Sequence, residues 1–258
     1  MNNNSMKSKV LLWFIFLYGC SYNNIQDDEK RFTSLSNVDL MHLDVKDNKL
    51  WNLKAKIAKF NFIDNNLQAD SPIINLYEDN ITKFILKGDT LKHNKKTNII
   101  YLYDNVNVKG DNIEFYSSSL YWKPDEKIIK LDKEFTFTNN YAKGSGRSML
   151  FNTQSGNLKS SGPYSIKLNL NGQTNNLTSL NINGKGLTFN ASFNTLSSYN
   201  KFVIKSKSSD NFQFTKLEGD KFKANFNSRI LEVDNCILYR YDNSTTTSDY
   251  CKINYKYN

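Results

Sequence analysis

The run Ile99-Ile-Tyr-Leu-Tyr103-Asp-Asn-Val106-Asn-Val108-Lys-Gly110-Asp-Asn-Ile113-Glu-Phe115 decides the fold. Apolar residues fall on every second position in Ile100-x-Leu102, Val106-x-Val108 and Ile113-x-Phe115, and Lys109-Gly110-Asp111-Asn112 interrupts them as a turn. Alternation with a period of two sets one face of a strand against an interior and the other against water. The same pattern continues C-terminally. Leu120-x-Trp122 precedes the Lys123-Pro124-Asp125-Glu126 turn, with Ile129-x-Leu131 and Phe135-x-Phe137 beyond it. Then come Ile166-x-Leu168-x-Leu170, Leu180-x-Ile182, Leu187-x-Phe189, Phe202-x-Ile204 and Phe212-x-Phe214. Phe222-x-Ala224-x-Phe226, Leu231-x-Val233 and Ile237-x-Tyr239-x-Tyr241 complete the series. Short alternating runs at intervals of roughly ten residues, punctuated by Gly, Asn and Asp, predict an antiparallel all-β protein. Periodicity alone leaves a sandwich, a closed barrel and an open roll as alternatives.

Composition agrees. Aromatic residues make up 14% of the chain and there are only 3 prolines, which favours strands over a disordered polymer. The net charge of +9 is spread along the whole chain rather than clustered, so it argues for solubility or attraction to anionic head groups, not for nucleic acid. The only histidines are His42 and His93; the first lies near the N-terminal segment and the second in the polar stretch Lys92–Lys96. Neither has the cysteine or carboxylate spacing of a metal site, and nucleophile-elbow, P-loop and HExxH patterns are missing. The chain is therefore expected to be no enzyme and to need no cofactor or metal.

The N-terminus predicts export. Met6-Lys-Ser-Lys9 is a basic region, Val10 to Tyr18 an apolar one, and Leu17-Tyr-Gly-Cys20-Ser21 closes it. The apolar run is about half the roughly twenty residues that span a bilayer. Its ending in a small residue and cysteine resembles a lipoprotein signal (residues 1–19), with Cys20 the lipid anchor; an ordinary signal peptide or a short uncleaved anchor with a chance cysteine is the alternative. Residues 20–45 are polar and are expected to be a tether. With Cys20 acylated, Cys236 and Cys251 remain, either as two free thiols or as a disulfide contributing roughly 3 kcal/mol. Gly144-Ser-Gly146, Gly184-Lys-Gly186 and Gly219-Asp-Lys each precede a short strand with an aromatic residue and a closing asparagine, a layout that stacked strand-turn units or chance would generate.

Residues from about 50 to 168 resemble the LptC family of lipopolysaccharide export and its soluble LptA relatives. Leu50-Trp51-x-Leu53-x-Ala55 is similar to the family's opening strand, followed by Leu67-Gln-Ala-Asp-Ser-Pro72 and Ile73-Ile-Asn-Leu76-Tyr77. Leu102-Tyr-Asp-Asn105-Val106 stands at the family's Leu-x-Gly-Asn-Val strand, with Asp104 in place of the glycine. Ile113-Glu-Phe115, Leu120-x-Trp122, Phe135-Thr-Phe137 and Gly144-Ser-Gly146-x-x-Met149 follow in the family's order. The resemblance implies a curved, partly open antiparallel β-jellyroll over residues 46–168, and the strand-rich residues 169–258 are expected to continue it.

The resemblance also implies a function: a non-enzymatic periplasmic lipoprotein, expected on the inner membrane, that receives lipopolysaccharide or a related glycolipid from an LptBFG-like ABC transporter. It would pass the glycolipid to an LptA-like bridge protein. Leu102, Val106, Val108, Ile113, Phe115, Leu120, Phe135 and Phe137 are the expected lining of an acyl-chain trough, although a sealed core demands the same alternation. The strand holding Leu50, Trp51, Leu53 and Ala55 is the expected docking edge for the transporter. Ile237–Tyr241 or 253–257 is the expected edge for the bridge, unless the extension is itself a first piece of bridge. The competing reading is a structural or adhesive envelope lipoprotein with a closed β core and no lipid cargo.

Overall fold

The computed structural model describes residues 32–61, 63–111, 113–140, 142–169, 179–191, 194–206 and 214–254. The expected signal peptide, the anchor Cys20, and Leu170 and Phe212 of the alternating runs lie outside these residues. Among these residues eighteen strands form one antiparallel sheet, and there is no helix. The first half comprises β1 (Phe32–Leu43), β2 (Lys49–Asn61), β3 (Asn66–Asp70), β4 (Ile73–Glu78), β5 (Ile81–Lys87), β6 (Thr90–Asn94), β7 (Ile99–Gly110), β8 (Ile113–Lys123) and β9 (Ile128–Asn139). The second comprises β10 (Ala142–Asn152), β11 (Leu158–Asn169), β12 (Ser179–Asn190), β13 (Thr195–Ser198), β14 (Phe202–Ser206), β15 (Lys216–Gly219), β16 (Lys221–Asn225), β17 (Ile230–Tyr239) and β18 (Thr245–Asn254). This is the curved β-jellyroll expected from the sequence, with additional C-terminal strands.

The long strands bend midway, and the bends stack into a spine that divides the sheet into two arms. Trp51–Lys54 of β2 pairs with β4, whereas Ile57–Asn61 pairs with β3. Likewise β7 pairs with β6 through Ile99–Tyr103 and with β5 through Asn107–Gly110. Register shifts mark the spine at Tyr103/Val106, Ser117/Tyr121, Arg147/Met149 and Ser160/Pro163. Bulges of this kind bend a strand and sharpen its twist. Backbone in the left-handed region accompanies them, at Asn37 (φ 52°), Ser71 (50°), Asp104 (57°), Asn105 (48°), Ser148 (61°) and Asn235 (50°). Asp104, where the resemblance expects a glycine, thus adopts a conformation open to glycine; the short polar side chains of Asp and Asn tolerate it better than most.

At the tip of one arm the turns share one construction. Asn61/Asn65, Asn94/Asn98, Lys123/Lys127, Asn152/Gly156, Asn190/Asn194 and Asn225/Arg229 each stand four apart, and the second member has positive φ. Where the first is Asn94, its Oδ1 accepts from the N–H groups of Lys96 and Thr97; Asn152 and Asn225 accept the equivalent pairs. Such Asx turns supply an acceptor that the reversed backbone lacks. Successive turns are also tied to one another, as in Lys95 N–H to Asn65 O (3.0 Å), Thr153 N–H to Lys127 O (2.8 Å) and Phe226 N–H to Asn194 O (3.1 Å).

The layout of β2–β8 recurs in β12–β18. In each copy a long strand is followed by two short strands that cover its halves, two more that cover those, and a long strand that crosses both. The likeness reaches single hydrogen bonds. Asp89 N–H donates to Asp104 O (3.0 Å) while Asn105 Nδ2 donates to Asp89 Oδ2 (2.7 Å). Asp220 N–H donates to Asp234 O (3.1 Å) while Asn235 Nδ2 donates to Asp220 Oδ2 (3.0 Å). The repeat partner of Gly219-Asp220 is therefore Gly88-Asp89, a pair absent from the glycine series picked out in the sequence.

One boundary and two edge assignments differ from expectation. Residues Phe32–Leu43, expected within the tether, form β1 and pair along β2. Leu35 and Val38 both turn inward although they stand three apart, because the strand rounds the spine at Asn37; that odd spacing conceals the strand from a period-two search. As a consequence Leu50, Trp51, Leu53 and Ala55 are not on an edge, since β1 covers one side of β2 and β3 and β4 cover the other. Ile237 to Tyr239 is likewise interior to the sheet, between β15 and β18. The terminal strands are β1 and β18, and Cys236 and Cys251 are disulfide-bonded between β17 and β18.

Candidate functional site

The arms face one another across a single apolar core cluster that runs from Val38 to Cys236. Alternation on β7, β8 and β9 directs Leu102, Val106, Val108, Phe115, Leu120, Phe135 and Phe137 inward, and none is more than 5% exposed. Ile113 packs against them, partly buried. The fold thus gathers all eight expected lining residues on one interior face. That face is closed: Phe84 and Phe115, from one arm, each approach Phe151 of the other with ring centroids 5.2 Å apart.

Near β1 the arm tips meet through a second aromatic cluster. Trp51, at the tip of one arm, stacks on His42 (5.2 Å) and stands edge-on to His93 and Trp122 of the other arm (6.0 Å each). His93, expected in a polar turn, is instead in β6 and only 7% exposed, with Nε2 3.1 Å from Asn98 Oδ1. Burial holds both imidazoles below their ordinary value, His42 against the opposing pull of Asp125 and His93 against its hydrogen bond to Asn98. The indole N–H groups of Trp51 and Trp122 are buried without a hydrogen-bond partner. Trp51 and Leu53 were expected to serve a docking edge; the convergence of Trp51 and Trp122 is hidden at the level of sequence, because 71 positions of chain and the bend between the arms separate them.

Along the spine, the bends of β7–β11 leave an open groove of about 1210 Å³. Val106 and Phe135 lie on its floor, with Tyr116, Ser118, Thr136, Ser145 and Ser165 at its sides. Arg147 and Glu134, opposite one another on β10 and β9, line it as an exposed ion pair (2.8 Å). Tyr164 also contributes, and burial pushes its phenol up to about 12 against the lowering effect of the neighbouring Ser198 hydroxyl, which is itself bonded to Gly186 O (2.7 Å). Among the described residues no group of three His, Cys, Asp or Glu is arranged to hold a metal. No helix among them is long and apolar enough to cross a membrane.

The arms thus enclose an apolar interior with an aromatic closure at their tips. No curated protein matches the chain. Residues 10–160 match the family model described as lipopolysaccharide-assembly, LptC-related, a span from the apolar N-terminal run to the spine of β11. With more than half of its length matched, the chain belongs to the LptC-related family, the non-enzymatic lipopolysaccharide-export components of the periplasmic, inner-membrane-associated envelope.

Proposed function

We propose that this protein carries the acyl chains of lipopolysaccharide, or a related glycolipid, between the two arms of its roll. The observation that supports this most is the unbroken apolar interior, enclosed on both faces from Val38 to Cys236. A fourteen-carbon chain brings about 10 kcal/mol of burial free energy, at about 0.8 kcal/mol per methylene. Separating a few core side chains costs about 1.5–3 kcal/mol each, so one acyl chain can offset a local parting of the arms. In this reading the glycolipid enters from an LptBFG-like ABC transporter at the β1 end. It leaves to an LptA-like bridge protein at the β18 end. Both terminal strands offer unpaired backbone for strand addition, and β1 adds the exposed Leu40, Met41 and Leu43. Cys20 anchors the chain through lipid at the inner membrane, and the short segment before Phe32 is the tether. Residues 46–168 act as the LptC-like unit and residues 169–258 prolong its path.

The shut Phe84–Phe115–Phe151 packing favours a second reading, an envelope lipoprotein of structural type with a closed core and no cargo. Native mass spectrometry of protein gently extracted from the envelope separates the two. The carrier reading expects a population heavier by one glycolipid, lost in variants with charged residues at Phe115 or Leu120. Protein found only at its own mass under conditions that preserve other lipid complexes supports the closed-core reading.

A further inference from the structure

The aromatic closure at the arm tips holds two buried donors that nothing in the fold satisfies. Trp51 and Trp122 are 7% and 3% exposed, their rings lie 6.0 Å apart across the two arms, and neither indole N–H has an acceptor. A buried tryptophan N–H ordinarily finds a partner, because losing water without replacing it costs as much as a broken hydrogen bond. Two such losses on neighbouring rings, where the two arms meet, point to an acceptor that arrives from outside.

The surroundings define that acceptor. Its donors are neutral indoles. The nearest ionisable groups, His42 and His93, are both disfavoured as cations by burial. Lys95, close enough to His93 to repel its proton, is drawn over the Phe60 ring at 4.2 Å. Asp125 adds negative charge beside His42. A phosphate would find no committed cation here, whereas an uncharged carbonyl oxygen is cheap to desolvate and needs only a neutral donor. Position agrees with chemistry: an acyl chain lying between the arms emerges at their tips, where its ester or amide linkage begins.

We propose that the Trp51 and Trp122 N–H groups form a carbonyl-binding site that grips the ester or amide linkage of an acyl chain held between the arms. This site rests on the carrier reading and adds to it a means of recognising acyl rather than plain alkyl chains. It would also set how deep a chain seats.

The test compares dioctanoyl-phosphatidylcholine with its dioctyl ether analogue, which differ only in the two carbonyls, by titration calorimetry against the full chain in monomeric lipid. The expected result is ester affinity about tenfold above ether affinity, the worth of about one net hydrogen bond. In the double variant W51F/W122F the ester should fall to the ether's affinity while the ether's is unchanged; the singles W51F and W122F serve if the double fails to fold. Equal affinity for both lipids in the unaltered protein overturns the carbonyl site and leaves the carrier reading standing. Discrimination that persists in the Phe variants also overturns it. Binding of neither lipid overturns both.

Discussion

At the scale of single residues, Phe151 and His93 carry the most informative tests. Phe151 is 1% exposed and is the ring on which Phe84 and Phe115 of the opposite arm converge. Phe151→Ala should cost about 3–5 kcal/mol in urea unfolding, through lost burial and the cavity between the arms. A cost near zero would mean that the arms are not in contact in solution. His93 provides a pH test. Its ordinary value of 6.5 is lowered in the fold, chiefly by burial and further by Lys95 and His42, against the raising effect of Asn98. The unfolded chain therefore binds the proton first as pH falls. Stability is full above the ordinary value, declines as pH drops below it, and levels off below the folded value. His42, lowered by burial and raised by Asp125, contributes in the same direction. The melting temperature should fall between about pH 7.5 and 5.5, and His93→Gln should reduce that slope; an unchanged slope would remove His93 from the cause. Neither residue's role was legible in the sequence. His93 stands among Lys92, Asn94, Lys95 and Lys96, and local polarity marks a turn unless the strand's inward phase at Leu91 is known.

At the scale of elements, the asparagine turns are the units that repeat. Asn94, Asn152 and Asn225 each hold two backbone N–H groups, in turns far apart along the arm. Replacing any one with Ala should lower stability by about 0.5–1.5 kcal/mol. Because the sites lie in separate turns, a triple variant should show the sum to within a few tenths of a kcal/mol per pair. Chemical denaturation of the three singles and the triple checks this, and strong non-additivity would show that the turns act as one ladder. Strands themselves were well forecast wherever alternation is unbroken, as in Ile100-x-Leu102 and Phe135-x-Phe137. What alternation could not reveal is continuity. Phe115 and Leu120 both face inward though five apart, since the register shifts between Ser117 and Tyr121 at the spine. A reader of the sequence sees two short strands there, and the fold has one bent strand. The same phase slip at Asn37 hid β1, and with β1 went the true edge.

At the scale of the molecule, a meandering sheet bent along one line yields two facing arms, and a second copy of the opening layout lengthens them. The family match ends at residue 160, yet the core does not: Leu180, Ile182, Leu187, Phe202, Ile204 and Phe222 belong to the same cluster as Leu53 and Leu102. The two ends differ in chemistry. Strand β1 exposes Leu40, Met41 and Leu43, whereas β18 begins Thr245-Thr-Thr-Ser-Asp249 and is stapled through Cys251. All-β class, interior face and family were legible because burial must alternate and because the motifs keep their order. The arms, their shared spine and the repeat were not, because they arise from pairings between distant segments.

In the carrier reading, acyl chains travel inside the roll, not over it. Adjacent residues of β8 test it, since Phe115 is 1% exposed and Tyr116 is 50% exposed on the opposite face. A photocrosslinking amino acid placed at each in turn, in living cells, should capture glycolipid from position 115 and not from position 116. Capture from 116 alone, or from neither while the protein is folded and abundant, would contradict the account.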